Sequence, residues 1–127
     1  MKHLLLVMLG GAFGAGARHL VALASLRLFG TGFPVGTLTV NVVGSLAMGL
    51  LIGWLVKSDF QHIQTVRYFI ATGILGGFTT FSAFSLDTSV LWERGDTILA
   101  MVYVVASVVL SIAAVFGGLA IARQVVS

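Results

Sequence analysis

The sequence predicts an all-α integral membrane protein of four transmembrane helices, on three observations. Across 127 residues, 58% are hydrophobic and 9% charged, whereas soluble domains carry about 25% charged residues. Mean hydropathy is +1.10. The apolar residues fall into four runs separated by short polar or turn-forming segments, and each spanning helix needs roughly 20 residues to cross about 30 Å of hydrocarbon. Residues 1–127 therefore read as a single four-helix membrane domain, with no room for a soluble domain beside it.

The first helix is expected at about 4–28. Its start, Met1-Lys2-His3 before an apolar run and Ala15-Gly16-Ala17, has the outline of a signal peptide. The run resumes after Arg18 and His19, however, and reaches membrane-spanning length. Phe29-Gly30-Thr31-Gly32-Phe33-Pro34 is a tight turn holding the only proline of the chain. It leads into a second helix at about 35–56, which carries no charge.

A polar loop from Lys57 to Arg67 precedes the third helix, expected at about 68–92, with Tyr68 and Trp92 placed to sit among headgroups. Glu93-Arg94-Gly95-Asp96 turns into the fourth, expected at about 97–122.

The third run contains GILGGFTTFSAFS, residues 73–85. A helix break at Gly76-Gly77-Phe78-Thr79-Thr80 would fall near the bilayer midplane, where non-helical backbone is tolerated only inside protein or beside a watery cavity. Such a break offers N–H groups to anions and carbonyls to small cations. The alternative is that the glycines only allow close helix packing while the hydroxyls bond back to their own helix.

Other polar residues bear on that choice. Asn41 in the second helix needs a partner for its amide, either as a site residue or as interhelical glue. Tyr103, Ser107 and Ser111 are spaced i, i+4, i+8 and so share one helical face as a ladder of hydroxyls. Arg18 and Asp87 are ionisable residues within membrane runs, which mark a functional site unless they merely pair with each other. Gly10-x-x-x-Gly14 and Ser45-x-x-x-Gly49-x-x-x-Gly53 are stripes along which helices can approach closely. Four helices this small cannot enclose a pore alone, so a polar path implies an oligomer.

Several functions are excluded. The seven Lys and Arg residues lie singly at helix ends and loops, so a pI near 10.0 does not signify a nucleic-acid partner. No cysteine is present, and His3, His19 and His62 lack metal-ligand spacing. Gly11-Ala12-Phe13-Gly14-Ala15-Gly16 lacks the strand and following acid of a dinucleotide site, and Gly76-Gly77 lacks a phosphate-binding lysine. No His–Asp pair activates a serine. The chain is not expected to be an enzyme.

The motifs resemble one family throughout nearly the whole chain. Gly10-Gly11-Ala-Phe-Gly14-Ala15-x-x-Arg18, Gly36-Thr37-Leu-x-Val40-Asn41-x-x-Gly44, Gly73-x-x-Gly76-Gly77-Phe78-Thr79-Thr80-Phe81-Ser82 and the Tyr103/Ser107/Ser111 ladder are similar, in that order, to the Fluc (CrcB-like) family of bacterial fluoride channels. The resemblance implies an antiparallel, dual-topology homodimer in the bacterial cytoplasmic membrane, embedded in lipid, exporting fluoride passively through two pores around a central structural sodium ion. It implies that Asn41 is a pore-lining donor, that Phe81 and Phe84 form an aromatic box, and that Tyr103, Ser107 and Ser111 form the polar track. By the same resemblance Arg18 matches an arginine near the pore vestibule, and the carbonyls of Gly76 and Thr79 would hold sodium. The chain departs from the family pattern at Ala83, usually Thr, and at Asp87, usually Glu.

The residues suit such an anion: fluoride is small and tightly hydrated, and amide, hydroxyl and ring-edge donors in close array could replace its water. Composition does not separate fluoride from chloride. A second class, the small multidrug exporters that exchange protons for cationic drugs, also consists of four-helix, dual-topology dimers. Those rely on a first-helix glutamate, and no acid occurs in the first run here. The basic residues suit dual insertion: Lys2, Lys57, Arg67 and Arg123 share one side against Arg27 and Arg94 on the other, a weak bias.

Overall fold

Apolar runs this long can satisfy their backbone in lipid only as helices, and the computed structural model is all-helical. Residues 1–57 and 62–126 are described. The polar loop expected between the second and third helices falls partly on residues 58–61, outside the described residues. Helix α1 spans Lys2–Phe29 and α2 Val35–Lys57. The third span, Ile63–Glu93, comprises α3 (Ile63–Val66), a π-helical stretch (Arg67–Leu75), α4 (Gly76–Phe78) and α5 (Phe81–Glu93). Helix α6 covers Thr97–Val126. These four spans are long and apolar enough to cross a membrane.

The helices overrun the apolar runs because hydropathy marks the hydrocarbon, whereas helical hydrogen bonding continues through polar residues beyond it. Helix α1 thus takes in Lys2 and His3, the third span begins at Ile63 rather than Tyr68, and α6 continues to Val126. His3 stacks on Tyr68, with ring centroids 4.5 Å apart, which ties the start of α1 to the third span.

Small residues set the two closest helix contacts. A Cβ at Gly10 or Gly14 would overlap the Phe69 or Ile74 carbonyl oxygen, and one at Gly77 would lie 2.6 Å from the Gly11 carbonyl. The stripe on α1 therefore meets a second stripe, Gly73-x-x-x-Gly77, on the third span. On the other side α2 packs along α6. Gly49 lies against the Val115 carbonyl, and Gly118 would bring a Cβ within 2.5 Å of the Leu46 carbonyl. Backbone meets backbone at both seams, leaving polar side chains free to gather between them.

The small apolar core lies toward the turn-bearing end of α5. Phe84, Leu91, Ala100 and Tyr103 are buried together, with Phe33, Leu38 and Val104 packed around them. Large apolar side chains elsewhere face outward, Phe81 at 77% exposure among them. In a membrane chain such surface is matched by lipid or by other protein.

Candidate functional site

The site begins where the third span loses its helical hydrogen bonds. Gly76 donates its N–H to Ala71, five residues back, as well as to Gly73, so the chain reaches α4 from a widened π turn. Helix α4 ends at Phe78. Thr79 (φ −86°, ψ 158°) and Thr80 (φ −154°, ψ 122°) are extended, and α5 starts at Phe81.

The polar groups freed there find side-chain partners from two other spans. Asn41 of α2 accepts from the Thr80 N–H at 2.7 Å and donates to the Thr80 carbonyl at 3.0 Å. One amide thus supplies an acceptor to the Thr80 N–H, which has no helical partner, and adds a donor to the Thr80 carbonyl. Thr80 in turn caps α5, its hydroxyl accepting from the Ala83 N–H at 3.1 Å. Thr79 bonds back to its own helix: its N–H and its hydroxyl both donate to the Leu75 carbonyl, at 3.0 and 2.9 Å.

Arg18 of α1 donates from Nε to the Gly77 carbonyl at 3.0 Å, placing a cation at the C-terminal end of α4. Among the described residues, no hydrogen bond ends on the carbonyl of Gly76 or Thr79.

Beside the break lies a cleft of about 360 Å³. Asn41, Thr79, Phe81, Phe84, Ser107 and Ser111 all contribute to its wall. The rings of Phe81 and Phe84 are 5.4 Å apart and tilted by 58°. In the same lining, the hydroxyls of Ser107 and Ser111 are shielded from solvent and have no hydrogen-bond partner among the described residues. A serine in a helix can usually bond the carbonyl one turn back. Two buried hydroxyls that do not, together with tilted aromatic edges, make a wall suited to a small anion.

Three of the expected site residues lie apart from that wall. Tyr103 is fully buried behind it, packed on Phe84 at 5.3 Å, and its hydroxyl donates to Asp87 at 3.1 Å. Arg18 holds the far side of the break, and Gly76 lies outside the cleft lining. The anticipated alternative that Arg18 and Asp87 pair with each other is corrected: each is satisfied within its own neighbourhood, by the Gly77 carbonyl and the Tyr103 hydroxyl.

Sequence reasoning missed the cap at Thr80, though a threonine directly before a helical run is a preferred N-cap residue. It also missed the contacts of Arg94, whose guanidinium donates to Asp96, Thr31 and Gly32. An isolated arginine in a turn gave no sign of them.

The comparisons with known proteins agree on one family. Residues 5–119 match the family model described as CrcB-like protein, Camphor Resistance (CrcB). A fluoride-specific ion channel FluC of Chelativorans sp. (strain BNC1) is 58% identical over 125 residues, covering 98% of this chain and 99% of the relative. FluC proteins of Mesorhizobium japonicum and Paracoccus denitrificans are 54% and 55% identical over 124 residues, each alignment covering at least 97% of both chains. With four apolar membrane-spanning helices and relatives matched from end to end, the chain is a multi-pass bacterial membrane protein and belongs to the CrcB-like family.

Proposed function

We propose that this protein is a fluoride-selective channel that lets the ion leave the cell passively across the cytoplasmic membrane and so confers fluoride resistance. The observation that carries the reading is the cleft lined by the tilted Phe81 and Phe84 rings and by Ser107 and Ser111, whose hydroxyls have no partner among the described residues, in a chain whose relatives are named fluoride channels. Dehydrating fluoride requires donors that are not already engaged, and these hydroxyls satisfy that condition. Asn41 contributes its second amide hydrogen and fixes the wall. The multidrug-exporter reading has no support, since α1 contains no acid. The proposal is tested by expressing the chain in bacteria stripped of fluoride export: growth in fluoride medium should be restored, and continued growth arrest with the protein present in the membrane would reject it.

The assembly belongs to the same proposal. An antiparallel homodimer would cover the exposed break and its outward-facing Phe81 with a second copy, bringing two third spans together near the midplane. Dual insertion predicts that a single cysteine at the exposed Gln64, in this cysteine-free chain, is labelled to roughly half by a membrane-impermeant thiol reagent on intact cells. Labelling near zero or near completion would exclude it.

A sodium ion suits the break, because among the described residues the Gly76 and Thr79 carbonyls accept no hydrogen bond and a hard cation takes oxygen ligands. Two copies of the chain would supply four such oxygens. A bound cation there supplies fixed positive charge that favours nearby anions. Arg18 orients the adjoining Gly77 carbonyl, and Asn41 fixes the turn that presents Thr79. Sodium should raise the midpoint of thermal unfolding of the purified protein, and an organic cation at equal ionic strength should not. Equal midpoints in the two salts would remove the ion from the proposal.

A further inference from the structure

The turn between α1 and α2 contains two glycines, Gly30 with φ +72° and Gly32, and would on its own be a flexible hinge. It nevertheless delivers an aromatic side chain, Phe33, to the buried tyrosine behind the wall of the site. Phe33 packs into the apolar core and meets Tyr103 edge to face, with ring centroids 5.5 Å apart at 87°. Tyr103 then contacts Phe84 at 5.3 Å, and Phe84 contacts Phe81 at 5.4 Å. A continuous chain of rings therefore joins this turn to the cleft.

Arg94 holds the turn in place. It lies at the end of α5, where Gly95 takes a left-handed conformation (φ +93°) and the chain reverses into α6. Its Nη1 donates to the Thr31 carbonyl at 3.1 Å and its Nη2 to the Gly32 carbonyl at 2.8 Å, while Nε donates to Asp96 at 2.8 Å. The fork spans two consecutive carbonyls immediately before Phe33, a geometry that a lysine cannot reproduce. The guanidinium also sits at the C-terminal ends of both α1 and α5, where helix dipoles favour a cation.

An exposed ion pair is ordinarily worth little. Here Asp96 neutralises the charge and aims the fork, and the useful bonds go to backbone. A neutralised guanidinium with its donors committed to carbonyls is a latch and a poor lure for anions.

We propose that Arg94 is a positioning residue for the channel: by clamping the Thr31 and Gly32 carbonyls it fixes Phe33 against Tyr103, the residue that backs Phe84, and thereby sets the Phe84–Phe81 wall along which fluoride passes. The inference rests on the fluoride-channel reading, and a wild-type control separates failure of one from failure of the other. If wild-type protein conducts and the latch variants behave identically to it, only the latch is wrong.

The test replaces both ends of the latch by cysteine, Thr31→Cys and Arg94→Cys, in the cysteine-free background. Fluoride efflux from liposomes containing the double variant should fall roughly tenfold, because small misplacements of a positioned wall cost that much or more. An uncharged, reversible bis-methanethiosulfonate linker between the two cysteines should restore most of the flux, and reduction should abolish the rescue. Arg94→Lys, which keeps the charge and loses the fork, should resemble Arg94→Gln. Wild-type flux in the unlinked double variant, full flux in Arg94→Lys beside a slow Arg94→Gln, or no recovery after verified cross-linking would each overturn the proposal.

Discussion

Asn41→Asp stops fluoride conduction, with initial efflux from proteoliposomes reduced at least about a hundredfold, the scale seen when one preorganised donor to a developing anion is lost. The substitution is nearly isosteric, so the effect comes from chemistry. Asn41 now satisfies both backbone groups of Thr80, accepting from its N–H and donating to its carbonyl. A carboxylate keeps the first bond and loses the second, turning its other oxygen against the Thr80 carbonyl. It also places negative charge in the wall of a cleft meant for an anion. Asn41→Ala fails differently, by orphaning the Thr80 N–H at a cost of about 1–3 kcal/mol. The aspartate variant should therefore purify and assemble like the wild type yet conduct at least about a hundredfold less, while the alanine variant should lose yield. Wild-type efflux through Asn41→Asp would mean that the residue only joins helices.

Phe81→Ile and Phe84→Ile each slow fluoride efflux by about an order of magnitude or more, if ring-edge attraction of roughly 1 kcal/mol or more acts at each passage point. Isoleucine keeps apolar bulk and removes the positive ring edge, so the comparison isolates the aromatic quadrupole. Burial separates the two variants. Phe81 is 77% exposed in the single chain, and its replacement should leave the protomer's fold intact. Phe84 is in the core against Tyr103, so its replacement should also lower thermal stability, by about 1–3 kcal/mol for a shape change in a packed site. Unchanged efflux in both variants, measured with assembly verified by gel filtration, would take the rings out of the mechanism.

The four spans were legible because lipid imposes a simple rule: about 20 predominantly apolar residues must be helix. Gly10-x-x-x-Gly14 and Ser45-x-x-x-Gly49-x-x-x-Gly53 could be recognised as packing stripes, but their partners could not. Gly73, Gly77 and Gly118 become partners only once the helices are paired. Within the third span, the accumulation of glycines and threonines pointed to residues 76–80, where α4 ends and the backbone is extended. The π-helical geometry of Arg67–Leu75 was not legible, since an apolar run carries no periodic mark of a five-residue hydrogen-bond ladder.

Long-range polar pairings were the hardest to read. The i, i+4, i+8 spacing placed Tyr103, Ser107 and Ser111 on one face of α6, but could not say that Tyr103 would turn its hydroxyl to Asp87 while the serines stay unpartnered. Arg18 and Asp87 were two opposite charges in membrane runs, for which a mutual ion pair is the simplest arrangement. A helix end with a spare carbonyl competes for the arginine, and a buried phenol competes for the aspartate. Neither competitor exists until α1, the third span and α6 are assembled.

The most direct measurement is anion efflux from liposomes loaded with both fluoride and chloride, with membrane potential set by potassium and valinomycin. A fluoride-selective passive channel predicts rapid, voltage-driven fluoride release with chloride retained, and no need for a proton gradient or a drug. Fluoride release that is absent, that requires counter-transport of protons, or that is matched by chloride would contradict the channel described here.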